Sequence, residues 1–450
     1  MLNRIITIIA SILLLASGIS AQNKNTGDTI PYLNLDQCIV YGLQHQPGVI
    51  QSSIGITIAK KTNMVNLSAW LPQINLSGNF MHYDQLPTTF ALNSLNPGGP
   101  LIEGHIAIAN TLIPQLSVTE TVFSPGVLYA AQSAHLLIQE AQQSNDSAKI
   151  NLIATVSKSF YNLLLTLEQI VVLKEDTARL GKNLRDTYHQ YIGGIVDKTD
   201  YKEAAITLNN SKAQLKQAEE NIRPQYATLK QVIGYPPEKQ FQVNFDKQQM
   251  MQQTAFDTTQ QLQFEKRIEY QQLQTAKSLQ KQTVNYYRSQ FLPTLSALYS
   301  YDYEYESNSF SNLFNQAYPY SYVGASINIP LFTGFQRLAN IQKAKLQGQL
   351  LDWTEVNLKS NIYSEYTTAL ANYKSNLYDL NVLQENVTMA KDVYNVVSLQ
   401  YKQGVVAYLN VITAESDLIS SEINYLNALF QVLLSKVDLE KAMGNTPAKH

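Results

Sequence analysis

Tyr299-Ser300-Tyr301-Asp302-Tyr303-Glu304-Tyr305-Glu306 alternates a tyrosine with a polar or acidic residue at every step. A period of two is that of a β-strand, whose successive side chains leave on opposite faces. This stretch therefore offers one aromatic face and one acidic face. Three other stretches share the period. Ile74, Leu76, Gly78 and Phe80 alternate with Asn75, Ser77 and Asn79; Val323, Ala325, Ile327 and Ile329 alternate with Gly324, Ser326 and Asn328. Val118 and Val122 alternate with Ser117, Thr119 and Thr121, with Glu120 interrupting the apolar side. The spacing predicts strands over about 73–84, 113–123, 294–306 and 318–331. The linkers Asn93–Gly99 and Ser307–Gln316 are rich in Asn, Ser, Gly and Phe and read as exposed loops.

The chain opens as an exported one. A single cation, Arg4, precedes an apolar run from Ile5 to Ala16, then the small residues Ser17-Gly18-Ile19-Ser20-Ala21. That pattern is a secretory signal peptide over residues 1–21, with cleavage after Ala21. The apolar run falls short of the roughly 20 residues that a spanning helix needs. No later stretch of that length is continuously apolar, so helices are not expected to cross a bilayer. Greasy-and-wet strands with many tyrosines, in an exported chain, describe a membrane β-barrel. A barrel in lipid leaves no edge open, because each bare amide or carbonyl costs several kcal/mol there. Four strands cannot close alone, since about eight is the smallest closed set. Three copies supply about twelve strands, enough for a watery lumen. If the tyrosines face lipid, Asp302, Glu304 and Glu306 point inward; the alternative is that these acids lie in the loop above the membrane.

The rest of the chain is a duplication. Tyr191-Ile192-Gly193-Gly194-Ile195-Val196 returns 210 positions later as Tyr401-Lys402-Gln403-Gly404-Val405-Val406, and Gly234-Tyr235-Pro236-Pro237 returns as Gly444-Asn445-Thr446-Pro447. Trp70-Leu71-Pro72 echoes Phe291-Leu292-Pro293, and Phe123-Ser124-Pro125-Gly126 echoes Phe332-Thr333-Gly334. Residues 22–237 form the first repeat and 259–447 the second, with a linker over 238–258. Each runs helix, two strands, long helix, glycine turn (near 194 and near 404), helix. Heptad spacing places Tyr201, Ala204, Leu208, Ser211, Leu215, Ala218 and Ile222 on one seam, and Val411, Ala414, Leu418, Ser421, Tyr425, Ala428 and Val432 on its counterpart. From Gln336 to about Gln403 the only glycine is Gly348 and there is no proline. At about 1.5 Å per residue that is a helix of roughly 100 Å.

Composition excludes several functions. Lys and Arg number 33 against 35 Asp and Glu, and the pI is near 6.3, so nucleic acid is not an expected partner. The lone Cys38 allows no intrachain disulfide, and Asp36-Gln37 before it spoils an acylation box. Because Gln22 follows the cleavage point, no N-terminal lipid anchor is expected. The six histidines are scattered without metal-ligand spacing, and neither a Gly-x-Ser-x-Gly elbow nor a phosphate loop is present. No enzyme activity and no cofactor are expected. A pore-free periplasmic coiled-coil scaffold or adhesion protein is the alternative that these helices allow.

The order and duplication of these motifs resemble the TolC family of outer-membrane efflux proteins over essentially the whole mature chain. The resemblance rests on Leu33-Asn34-Leu35-Asp36-Gln37 opening a helix that runs through Gln46-Pro47, on Leu-Pro before each first strand, on Pro330-Leu331-Phe332-Thr333-Gly334, and on the two glycine turns. It implies a mostly α fold with a four-stranded β contribution: a homotrimer whose strands form one 12-stranded outer-membrane β-barrel and whose helices form a periplasmic α-barrel. It further implies a passive exit duct that docks on a periplasmic adaptor and an inner-membrane pump, as in tripartite efflux or type I secretion, with energy from the pump. By the same resemblance, Gly194-Ile195 and Gly404-Val405 match the adaptor-docking turns. Tyr401 matches a latch tyrosine, with Asp200 and Thr199 on its acceptor side. A latch arginine falls on Val406, and a lumen-facing carboxylate ring falls on Asn410 and Thr413. The tip is therefore expected to be held closed with a milder field, since ringed carboxylates are what draw cations.

Overall fold

The computed structural model describes residues 32–91, 102–105, 107–245 and 247–446. The signal peptide and the loop Asn93–Gly99 lie outside the described residues. In chain order the elements are β1 (Tyr32–Leu33), α1 (Leu35–His45), α2 (Pro47–Ser68), β2 (Gln73–His82), β3 (Thr88–Ala91), β4 (Ile102–His105), β5 (Asn110–Phe123), α3 (Pro125–Ile192) and α4 (Lys198–Ile233). The second half follows with β6 (Gln242–Val243), α5 (Lys247–Gln253), α6 (Ile268–Ser289), β7 (Thr294–Ser307), β8 (Ala317–Asn328), α7 (Gln336–Lys402) and α8 (Tyr408–Ala442). The fold is mostly helical, with one four-stranded antiparallel sheet in the order β2-β5-β7-β8.

Local chemistry sets the boundaries. Asn34 and Gln37 cap α1 reciprocally, each side-chain oxygen accepting from the other's backbone N–H, at 2.8 and 3.0 Å. The helix expected to run through Gln46-Pro47 instead breaks there. Gln46 is extended (φ −70°, ψ 124°) because the residue before a proline avoids the helical region. Its side chain then caps α2 by accepting from Val49 N at 2.9 Å. Ser124 caps α3 with Pro125 at the first helical position, which explains the Phe-Ser-Pro-Gly joint after β5. β8 stops at Asn328, short of 331, as Pro330 lacks a ladder donor and restricts Ile329.

The hydrophobic core lies at the waist, where both halves meet. Leu152, Val156, Phe160, Leu163 and Leu164 of α3 pack with Leu229 and Ile233 of α4, Tyr373 of α7, and Leu429, Phe430, Val432 and Leu433 of α8. One window of α3 has the length and apolarity of a membrane span, against the sequence expectation, but more than half of it is buried within the protomer. Its greasiness supplies this core. Cys38 is enclosed here too, and burial pushes its thiol up to about 12, so in the folded chain it is a packing residue. β1 pairs with β6 in parallel, and the hydroxyl of Tyr373 donates to Thr254 O at 2.7 Å, which ties segment 238–258 around the waist.

From the waist the helices run as two coiled-coil hairpins, α3 with α4 and α7 with α8. Ala204, Leu208, Ser211 and Ala218 are buried on one seam, and Val411, Ala414, Leu418, Ala428 and Val432 on the other. Small residues at these positions let the helices approach closely. Near the far end, Ala204 packs with Tyr408 and Val411, so the two hairpins touch each other.

Candidate channel wall and periplasmic tip

The register of the sheet sorts its side chains into two faces. Ile74, Leu76 and Phe80 of β2 stand opposite Val118, Leu116 and Leu112 of β5. These stand opposite Tyr299, Tyr301 and Tyr305 of β7, and Tyr299 and Leu295 stand opposite Val323 and Ile327 of β8. One face is thus apolar and aromatic across all four strands, and it is bare: Leu76 is 79% exposed and Val323 82%. The other face aligns Asn75 and Ser77 with Ser117 and Gln115, then Ser300 and Asp302, then Tyr322 and Tyr320. Asp302 is buried among these groups. Gln115 Nε2 donates to its Oδ1 and Ser300 Oγ to its Oδ2, both at 2.7 Å. Glu304 and Glu306 share that polar face by register. Glu120 does fall on the apolar side, opposite Ala297, but beyond the last β2 pairing at Gln73. It sits at the rim of the band.

The band has bilayer dimensions. The ten residues of β2, tilted as barrel strands are, rise about 25 Å. Aromatics mark both ends, as membrane interfaces favour. At one end Phe80 meets Phe310 edge-on at 6.0 Å and Tyr305 meets Phe314 at 5.5 Å. At the helical end Trp70, Phe291, Phe332 and Phe335 are exposed. Phe335 adopts the left-handed conformation (φ +62°), which turns the chain from β8 into α7, and Arg337 fixes the joint by lying over the Phe291 ring at 4.4 Å. Among the described residues, both edge strands of the sheet, β2 and β8, have one side without a strand partner.

At the opposite pole the two turns repeat bond for bond. Ile195 N donates to Gln190 O and Val405 N to Gln400 O, both at 2.9 Å, while Gly194 N donates to Tyr191 O and Gly404 N to Tyr401 O. These are six-to-one helix closures with a left-handed glycine, φ +71° at Gly194 and +75° at Gly404. A methyl added at either would meet nothing within 4 Å. Ile192, Ile195, Val405 and Leu409 are exposed around them, so the pole shows bare backbone and aliphatic side chains.

Tyr401 bonds a residue other than its expected partner. The Tyr401 hydroxyl donates to Gln190 Oε1 at 2.6 Å, and its ring leans on Tyr408 at 5.2 Å. Asp200 does not accept this bond. It is part-buried in the first turn of α4, close enough that its charge, after burial itself, raises the Tyr401 phenol. Burial and Asp197 push the Asp200 carboxyl up in turn. Thr199 is exposed. The reason is position: Gln190 stands on the last turn of α3, whose seam faces Tyr401 across the hairpin contact.

The model of the outer membrane efflux protein family matches residues 43–235 and 271–445. The chain belongs to the outer membrane efflux protein family. It is similar to the outer membrane protein TolC of Vibrio cholerae, 19% identical over 381 residues, covering 84% of this chain and 83% of that one. Its fold matches the solved channel CusC with a TM-score of 0.74 at 15% identity, covering 94% of this chain and 95% of that one. It also matches VceC from Vibrio cholerae with a TM-score of 0.70 at 15% identity, covering 91% and 96%. The efflux protein is therefore an outer-membrane channel extending into the periplasm, a conduit and not an enzyme.

In this efflux protein Asn410 and Thr413 are exposed on one face of α8, with Asp417 a turn further on; neither packs in the seam. Thr413 Oγ1 returns to Leu409 O at 3.1 Å. Val406 is part-buried. The residues that tie the hairpins together were not among those singled out from sequence: Gln190, Tyr408, and the buried group Asp176, Arg179 and Glu415. Glu415 carried a signal, since a carboxylate beside the seam residue Ala414 has to find a partner once buried.

Proposed function

We propose that the chain is the exit duct of a tripartite efflux or type I secretion assembly, closed by three copies and served by a periplasmic adaptor and an inner-membrane pump. The observation that carries it is the four-stranded sheet with an apolar face, a polar face and two open edges. In lipid such a sheet has to be completed, and a second and third copy supply strands of matching length and sidedness. The bare apolar side chains of α7, among them Leu346, Leu350, Trp353, Val356, Val393 and Val396, offer the same copies a helical contact. Glu304 and Glu306 then line the lumen near its outer mouth, while Asp302 stays buried beneath that face, bonded to Gln115 and Ser300.

At the other pole, Gly194-Ile195 and Gly404-Val405 are the seats for the adaptor's helical hairpin. Open space at both glycines and exposed aliphatics beside them suit helix-to-backbone contact. The closed tip is held by Tyr401 and the packing of Tyr408, with Asn410 and Thr413 toward the lumen. Energy is supplied by the pump, because the chain's own strands and helices only guide.

Detergent-extracted protein should migrate as a heat-modifiable trimer and give stepwise conductance in planar bilayers. Cysteines placed at Ile195 and Val405 should cross-link to the adaptor in cells. A mature protein that stays a water-soluble monomer without detergent would end the duct reading. A conducting trimer whose tip cysteines never meet an adaptor would end only the docking part.

A further inference from the structure

We propose that Asp176, Arg179 and Glu415 form a proton-operated clasp between the two coiled-coil hairpins, one that tightens when the periplasm acidifies. The trio sits well inside the tunnel wall. Asp176 lies 18 residues before Gly194, about 27 Å along the helix. Asp176 and Arg179 are on α3; Glu415 is on α8. The side chains of Asp176 and Glu415 are 0% and 1% exposed, so the protomer alone encloses them and no neighbouring copy is needed.

One guanidinium serves both carboxylates. Arg179 Nε donates to Glu415 Oε1 at 2.9 Å, and its Nη2 is bonded to Asp176 Oδ1. Asn183 Nδ2 donates to the second oxygen of Glu415 at 2.9 Å. The guanidinium also lies over the Tyr394 ring of α7, 5.3 Å from its centre. Three helices from both hairpins therefore meet on a single side chain. Asp176 Oδ2 is left buried without a hydrogen-bond partner among the described residues. The surrounding charges do not compensate it. Glu422 of α8 adds a further negative field, α7 contributes the phenol of Tyr394, and α4 meets this turn through Ser211, bonded to Thr177 at 3.1 Å.

Two buried carboxylates against one guanidinium leave an excess negative charge where desolvation is costly. A proton on Asp176 removes that excess and the cost of holding it out of water. Burial raises this carboxyl to about 6, with Arg179 pulling it down and Glu422 and Glu415 pushing it further up. Burial raises Glu415 as well, against the pull of Arg179 and Asn183. For an acid raised in the packed state, charge weighs against packing above that pKa, and the burden lifts as pH falls through it. Closing is thus favoured below about pH 6 and loosened above it. Between pH 7.5 and 5.5 the bias amounts to about fourfold per protomer.

Amide hydrogen exchange on the detergent-solubilised full-length protein reads this directly. After correction for intrinsic rates, segments 173–187 and 411–422 should exchange about fourfold more slowly at pH 5.5 than at 7.5, while the waist segment 150–165 stays level. Asp176→Asn should abolish the difference, and single-channel opening in bilayers should become rarer in acid for the wild type only. Unchanged wild-type protection, or an Asp176→Asn protein that keeps the full acid effect, would overturn the clasp. Should Asp176→Asn fail to assemble, the wild-type exchange alone decides. The bilayer arm rests on the exit-duct reading, but the exchange arm does not, so a protein that never conducts still tests the clasp.

Discussion

Gly234 and Gly444 at the waist, and Gly194 and Gly404 at the tip, close helices with the same left-handed backbone, φ between +70° and +75°. Their surroundings are opposite. A methyl on Gly234 would stand 2.7 Å from His45 O, and one on Gly444 would stand 2.8 Å from the Lys266 backbone. At the tip it would meet nothing. The duplication copied a turn, and the two ends of the molecule then used it differently. At the waist, glycine lets one helix end against the turn that starts another. At the tip it leaves backbone uncovered.

Substitution at the waist should cost the most, because an added methyl there meets backbone. Gly234→Ala or Gly444→Ala combines left-handed strain of about 1–2 kcal/mol with a backbone overlap of about 1–3 kcal/mol. The expected result is a loss of roughly 3 kcal/mol or more and a collapse in heat-modifiable trimer, read by gel migration and thermal unfolding. Retention of wild-type trimer yield would mean that the waist is as open as the tip.

The same change at the tip is the smaller, matched experiment. Gly194→Ala and Gly404→Ala carry only the left-handed strain, about 1–2 kcal/mol, and asparagine should recover part of it. Trimer yield should hold, while adaptor cross-linking falls in the alanine variants. A loss of trimer equal to that at Gly234 would erase the distinction between the two ends.

The difference between waist and tip also explains what could be read from residues in order. Strands announced themselves because Tyr299–Glu306 and Ile74–Phe80 keep a strict period of two, which a half-lipid, half-water surface imposes. Seams did so because Ala204, Leu208 and Ser211 keep heptad spacing. Partnerships across the hairpins did not, because Arg179 and Glu415 lie 236 positions apart and Tyr401 and Gln190 lie 211 apart. The small hairpin of β3 and β4 was also missed. Thr88-Thr89-Phe90-Ala91 has no alternation to betray it, and its pairing with Ile102–His105 spans the segment read only as a loop.

A smaller effect probes the latch. Tyr401→Phe removes one part-buried hydrogen bond to Gln190, worth about 1 kcal/mol, and leaves the ring against Tyr408. Trimer stability at the waist should not change. Opening frequency in bilayers should rise about fivefold, the Boltzmann equivalent of that bond. An unchanged opening rate would assign tip closure to the Tyr408 packing alone.

The smallest change in stability comes from restoring charge to the rim. Asn410 is the third residue of α8, whose first turn holds no acid, so Asn410→Asp places a carboxylate near a helix N-terminus. That favours the helix by about 0.3–1 kcal/mol at most, so assembly should be untouched. Function should move more than stability does. Three copies set three carboxylates around one axis, and a ring of that kind draws cations into the path. Block of conductance by trivalent cations should therefore appear at lower concentration in Asn410→Asp than in the wild type. Block that is already strong in the wild type and indifferent to Asn410→Asp would place this face of α8 away from the lumen, and the tip's field would then have to come from Asp417 or from the turns themselves.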